Sequence, residues 1–268
     1  MRVDRLPYEG LPRAVRRAVD ARVGEGCPRA DMRTGNSSAL ASLFFPPSAE
    51  KVFVKGLPLS HERAEELEAE AVVNPFLPPC APRLRWRTEA GGWLLLGFQG
   101  VTATPWAWFA DGSAHVEPVA AVLRELSVTP APEVVRGTPW DRWGAYCAPG
   151  DEALLRGDRL VHSDPVATNF LLEEGGRAWL TDWAWAMRGP GWIDTAVWGM
   201  RLVLDGKQSP EQAARWAASV PAFARAPRAA VRVLTEAEAR SWEDWRDHGT
   251  PGLDETVTAA RAWAAVWA

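Results

Sequence analysis

The chain has 268 residues with 30 basic and 34 acidic side chains, a formal net charge of -4. That length buries a sizeable core, as one two-lobed domain or two small domains tightly packed, and the mixed charge excludes the basic stripe of a nucleic-acid binder. Cys27, Cys80 and Cys147 lack the spacing of a zinc site or a disulfide framework, and no apolar leader follows Arg2, Asp4 and Arg5, so a cytoplasmic protein is expected. The uncharged run from Gly91 to Ala110 is broken by Gly97, Gly100 and Pro105, which suits a buried strand and a connector and excludes a membrane helix.

In chain order, Pro12 starts a short helix whose inner face carries Val15, Ala18, Val19 and Val23 and which Gly24 and Gly26 end. Thr34 to Ser38 forms a polar turn, and Ala39 to Phe45 reads as a strand closed by Pro46 and Pro47. Lys51 to Lys55 alternates, so Lys51, Phe53 and Lys55 share one face and Val52 and Val54 the other. Ser60 is expected to cap a helix that runs through Glu70 to about Val73, where Asn74-Pro75 stops it. Trp93 to Phe98 is a further apolar strand.

From about Glu117 the texture becomes helical, with segments over Val119 to Leu126, Gly191 to Leu204 and Pro210 to Ala218. Between them Phe170-Leu171-Leu172 and Ala178-Trp179-Leu180 flank Glu173-Glu174-Gly175-Gly176, a hairpin signal. Thr235-Glu236-Ala237-Glu238 reads as a capping box at a helix N-terminus, and Val257, Ala260, Trp263 and Trp267 form a core stripe near the end. Sixteen tryptophans are a large excess, but composition alone assigns them no role.

The chemistry concentrates around the hairpin. Folding it about its turn brings Asn169, at the base of one strand, toward Asp182, at the base of the other. An amide and a carboxylate oxygen, completed by phosphate oxygens, are the hard ligands magnesium favours. Asp164 lies in the segment His162-Ser163-Asp164-Pro165-Val166-Ala167-Thr168-Asn169, five residues before Asn169.

The HxDxxxxN spacing, the hairpin and the following Thr181-Asp182-Trp183 resemble the catalytic and metal loops of protein-kinase-like enzymes, and more closely those of aminoglycoside phosphotransferases. Gly189-Pro190-Gly191-Trp192-Ile193-Asp194 resembles that family's GPxxxD element. The resemblance covers about Thr34 to Leu204, and Ser163 replaces the glycine common in the family. It implies an α+β, bilobal protein-kinase-like fold, with a small β-rich nucleotide-binding N-lobe over 1–98 and a larger, mainly α-helical catalytic C-lobe over 99–268, the hinge at about 99–101.

By the same resemblance, Asp164 is the catalytic carboxylate, Asn169 and Asp182 hold Mg2+, and His162 and Asp194 support the loop. Lys55 contacts the phosphates of ATP or GTP, and its partner is expected to be Glu70, chosen over Glu66 and Glu68 because Leu67 and Val73 flank it on the inward seam. Gly35, Asn36, Ser37 and Ser38 cover the phosphates, and Phe98, Gln99 and Val101 meet the purine. Candidate acceptor contacts are Trp106, Trp108, Glu243, Asp244 and Asp247, although a solvated helix face is the better account of the last three.

The implied reaction moves the γ-phosphate to a hydroxyl of a small molecule, an antibiotic first, whether an aminoglycoside or a nucleoside- or sugar-containing drug. A metabolite kinase and a non-catalytic nucleotide-binding pseudokinase are the alternatives. No nucleic acid or membrane partner is expected, and the protein is a monomer or homodimer.

Overall fold

Short runs rich in leucine, valine and aromatic residues build most of the N-terminal sheet. The computed structural model describes residues 3–32, 37–47 and 50–268, so Gly35 and Asn36 of the expected phosphate loop lie outside the described residues. The chain divides into two units, Met1–Ala103 with Thr181–Ala184, and Thr104–Leu180 with Trp185–Ala268.

The first unit holds helix α1 (Arg13–Val23), strands β1 (Arg29–Asp31), β2 (Leu40–Phe44) and β3 (Val52–Pro58), helix α2 (Ala64–Val73), and strands β4 (Leu84–Ala90) and β5 (Trp93–Gln99). The strands form one antiparallel sheet in the order β1-β2-β3-β5-β4. Its core joins Val15, Val19 and Val23 of α1 to Leu40, Val54, Leu95 and Leu96 of the sheet and Leu67 of α2. The sheet matters for the site because β3 is central, flanked by β2 and β5, which fixes the backbone that carries Lys55.

Ser60 does not cap α2. The helix begins at Ala64 behind Arg63, because the turn before it is closed by its own bonds: the Ala64 amide donates to the His61 carbonyl at 2.9 Å, and the Arg63 amide to His61 Nδ1 at 3.1 Å.

The second unit carries β6 (Thr104–Pro105), α3 (Val116–Leu126), α4 (Pro139–Trp143), β7 (Arg159–Val161), β8 (Phe170–Leu172), β9 (Ala178–Leu180) and β10 (Met187–Gly189). Helices α5 (Ile193–Leu204), α6 (Pro210–Ala218), α7 (Pro221–Ala224), α8 (Arg228–Asp247) and α9 (Asp254–Ala265) follow. Strands β6, β8 and β9 make one small antiparallel sheet, and β7 pairs with β10 in another. Helix α3 begins three residues before the expected Val119.

The expected helix start at Thr235 is overturned. Helix α8 runs through it unbroken, and the buried Thr235 hydroxyl donates back to the Val231 carbonyl at 2.9 Å. Helices α5, α8 and α9 pack as a group with Trp263 fully buried against α5, while the equally buried Trp198 of α5 meets Phe109 edge-on. Gly199 of α5 is what admits Trp263: a Cβ there would stand 2.2 Å from the indole, whose Nε1 donates to the Ala196 carbonyl at 2.9 Å. Gly199→Ala is therefore expected to lower unfolding free energy by roughly 1–3 kcal/mol in a urea titration, as overpacking does. Among the described residues no helix is long and apolar enough to cross a membrane.

Candidate active site

Two clusters of polar side chains stand out, one in each unit. In the first, Lys55 projects from β3 with its Nζ 3.1 and 3.0 Å from the two oxygens of Glu70 and 3.0 Å from Asp182 Oδ1. Glu70 comes from the inward seam of α2, between Leu67 and Val73, and is 4% exposed; Lys55 is 7% exposed. Glu66 and Glu68 face outward, where Glu66 pairs with Arg63 and Glu68 with Arg87. Burial opposes the charge on Lys55, yet Asp182 and then Glu70 outweigh it and hold its pKa above the ordinary lysine value. Burial pushes Glu70 up, against the pull of the Lys55 charge.

Asp182 lies two residues beyond β9, in the left-handed region at φ 67°. An L-residue pays a steric penalty there, and such positions concentrate at functional sites. Its side chain is 31% exposed, while the neighbouring Trp183 is buried. A cation without a sequence signature lies nearby: Arg5 Nη1 donates to the Ser38 carbonyl at 2.7 Å and to Ser38 Oγ at 3.0 Å. Ser38 is buried and Ser37 half-buried. At the other end of the sheet Phe98 is buried on β5, and Gln99 and Val101 are half-buried. The Gln99 amide donates to the Arg83 carbonyl at 2.7 Å.

The second cluster surrounds the loop that follows β7. His162 and Ser163 are fully buried, and their backbone amides donate to Asp194 Oδ2 and Oδ1 at 2.9 and 2.7 Å. Asp194 itself is buried in the first turn of α5. Burial raises its pKa, opposed by the two amide bonds from His162 and Ser163 and by the Arg142 charge. The element before it packs tightly: a Cβ on Gly191 would stand 2.0 Å from the Ser127 carbonyl oxygen.

Asp194 thus serves two buried donors at once. Asp194→Ala is expected to cost roughly 1–3 kcal/mol for each amide left unsatisfied, read as a shift in chemical denaturation, with Asp194→Asn recovering part of it.

Asp164 emerges from this anchored loop half-exposed. The His162 ring accepts the Asp164 amide at Nδ1, 3.2 Å away. Asn169, 8% exposed and just before β8, donates its Nδ2 to the Asp164 carbonyl at 2.9 Å and to Asp164 Oδ2 at 3.2 Å. That bond directs Oδ1, a hard oxygen donor, to the opposite side of the amide. Among the described residues no three His, Cys, Asp or Glu side chains gather as a metal cluster. The Asn169 amide oxygen in this cluster and the Asp182 carboxylate in the first are each the kind of hard donor that magnesium takes alongside water and phosphate.

The candidate acceptor residues are distributed differently. Trp106 and Trp108 are 47% and 64% exposed, Trp106 at φ 83° and Trp108 with its amide on His115 Nδ1 at 2.9 Å. Glu243 is paired with Arg261, Asp244 accepts from Tyr146 and sits beside His248, and Asp247 pairs with Arg246. Each of these acids therefore has an intramolecular partner.

An antiparallel five-stranded sheet with a lysine on its central strand, followed by a mainly helical unit with the loop–hairpin–helix order around Asp164, is the α+β protein-kinase-like fold of the aminoglycoside phosphotransferase type. The chain is similar to a thermostable mutant of aminoglycoside phosphotransferase APH(4)-Ia in ternary complex with AMP-PNP and hygromycin B, with a TM-score of 0.62 at 16% identity over 96% of this chain and 98% of that one. It is also similar to choline kinase LicA from Streptococcus pneumoniae (TM-score 0.58, 12% identity, 94% and 98% covered). Spectinomycin phosphotransferase APH(9)-Ia, in complex with ADP and spectinomycin, is a third such structure (0.58, 11%, 93% and 92%). No family model matches the sequence, and no curated protein matches it. At these identities the likeness is one of fold.

Proposed function

We propose that this protein is a magnesium-dependent phosphotransferase that moves the γ-phosphate of ATP or GTP to a hydroxyl of a small molecule. The observation that carries the reading is the trio Lys55, Glu70 and Asp182. A buried lysine already paired with Glu70 needs no second carboxylate for stability, and Asp182 leaves the trio with an excess negative charge suited to a divalent ion and a phosphate chain.

In this reading Lys55 contacts nucleotide phosphate, Glu70 orients it, and Asp182 with Asn169 holds the metal, which when bound neutralises phosphate charge. Phe98, Gln99 and Val101 meet the base, and the segment of Ser37 and Ser38, tied down by Arg5, adjoins the phosphates. Asp164 aligns the acceptor hydroxyl and takes its proton as the acceptor oxygen–phosphorus bond forms and the bond from phosphorus to the β,γ-bridging oxygen breaks. His162 and Asp194 keep that carboxylate in place.

The acceptor is a hydroxylated antibiotic, an aminoglycoside or a nucleoside- or sugar-containing drug, and its phosphorylation in the cytoplasm confers resistance or self-resistance. Trp106 and Trp108 are assigned to it ahead of Glu243, Asp244 and Asp247, whose hydrogen-bonding and charge are already engaged. The likeness to choline kinase LicA favours a second reading, a metabolite acceptor.

Mass spectrometry of an antibiotic and metabolite panel, incubated with the protein, magnesium and each nucleotide, separates these by which compound gains a phosphoryl group. Magnesium-dependent nucleotide binding in a thermal-shift titration, without transfer to any acceptor, would instead identify a non-catalytic binding module.

A further inference from the structure

Ser163 adopts φ 73°, the left-handed region that glycine enters freely and a serine does not. It does so one residue before Asp164, in a fully buried position. Something must hold it there, and the surrounding bonds identify what does. Its amide is taken by Asp194 and its hydroxyl donates to the Trp185 carbonyl at 3.0 Å. From the other side Arg142 Nη1 donates to the Ser163 carbonyl at 2.9 Å and to its Oγ at 3.1 Å. The carbonyl that Arg142 grips belongs to the peptide bond leading into Asp164.

Arg142 is itself held. It leaves α4, whose start is closed by a reciprocal Thr138–Asp141 capping box. Its guanidinium lies 4.8 Å from the ring centre of Trp143 and 5.6 Å from that of Trp185. Trp143 is buried, and its indole donates to the buried carboxylate of Glu238 on α8. A short, capped helix therefore delivers a planar donor, flanked by two rings, to the peptide bond that follows the left-handed Ser163.

We propose that Arg142 is a positioning residue of the catalytic loop, holding Ser163 in its left-handed conformation and so fixing where Asp164 stands. The inference rests on the reading of Asp164 as the carboxylate that aligns the acceptor. The bond network is needed because a serine occupies the position; a glycine would keep the same backbone with less support.

The test is a double-substitution cycle in the full chain: Arg142→Ala, Ser163→Gly and the two combined, each checked for a cooperative melt. Two readouts are taken: steady-state kinetics with magnesium-ATP and the acceptor identified from the panel, and backbone amide exchange in the peptide over 159–166. Arg142→Ala is expected to lower kcat roughly 10- to 100-fold by misplacing the carboxylate, with both KM values moving less than about threefold.

In the Ser163→Gly background the same arginine substitution is expected to cost less than about threefold. Exchange over 159–166 accelerates in Arg142→Ala and much less so in the combined variant. Equal losses of kcat in the two backgrounds, or a loss confined to KM, would overturn the proposal. If Arg142→Ala does not fold, Arg142→Lys, which keeps the charge but not the fork, carries the same comparison. Should the unmodified protein transfer no phosphate to any acceptor, the phosphotransferase reading fails while amide exchange still decides: unaltered exchange on losing Arg142 overturns the positioning role, and faster exchange suppressed by Ser163→Gly supports it.

Discussion

Replacing Asp164 by asparagine is expected to lower kcat roughly 10²- to 10⁴-fold, the range set by losing a positioned acid–base group, while nucleotide binding and the melting temperature stay put. The separation of the two effects follows from how the residue is held. Its main chain is bound independently of its carboxylate: the Asp164 carbonyl accepts from the Val166 amide at 2.8 Å and from Asn169 Nδ2 at 2.9 Å, and its own amide donates to His162. The side chain is half-exposed and supports no core packing, so an isosteric amide leaves these contacts in place. The substitution removes the carboxylate's charge and its ability to accept a proton. Steady-state kinetics on the identified acceptor measures the loss, and an unchanged kcat would assign the chemistry to another group.

The second large effect is on stability. Lys55→Met is expected to cost about 3–5 kcal/mol, because it strands the carboxylate of Glu70 in a buried position after removing its counter-charge. Glu70→Gln is expected to cost much less, since Lys55 keeps Asp182 at 3.0 Å.

The lysine variant also carries a pH signature whose sign can be worked out. Burial already raises the Glu70 pKa above its ordinary value, and deleting the Lys55 charge removes the main force pulling it down. Between the unfolded and folded pKa the folded state holds a proton that the unfolded state has lost, so stability falls as pH rises through that interval. The deficit relative to the unmodified protein should therefore be smallest at acid pH, where the carboxyl is protonated in both states, and grow as pH rises above the ordinary glutamate range, as denaturant titrations at several pH values would read. A deficit independent of pH would mean that Glu70 stays ionised by some other route.

Where patterns are local, the structure can be read from the sequence. The alternation of Lys51 to Lys55 places Val52 and Val54 in the core, and the glycine-rich turn between Phe170 and Leu180 makes the hairpin. Leu67 and Val73 mark the seam from which Glu70 reaches Lys55. Each of these depends on neighbours within a strand or helix period, which a sequence records directly.

Where the same local signals compete with distant partners they mislead. Thr235 and Glu238 have the spacing of a helix start, but α8 begins upstream at Arg228 and Glu238 is drawn inward by Trp143, 95 residues away. Glu243 sits in an acidic stretch that offers candidate acceptor contacts, yet Arg261 of α9 already pairs with it.

The sequence by itself therefore determined β2, β3 and β5, the hairpin and the succession His162, Asp164, Asn169, Asp182 and Asp194, because each is written in residue types at fixed short intervals. Only the tertiary structure decided which charges are matched: Lys55 with Asp182 across 127 positions, Asp194 with two amides 31 and 32 positions before it, and Arg142 with Ser163 across 21. Such pairings are set by packing of elements far apart in the chain, and no local period encodes them. That is also why Ser163, read from sequence as a substitution for glycine, acquires its physical meaning only beside the arginine that holds it.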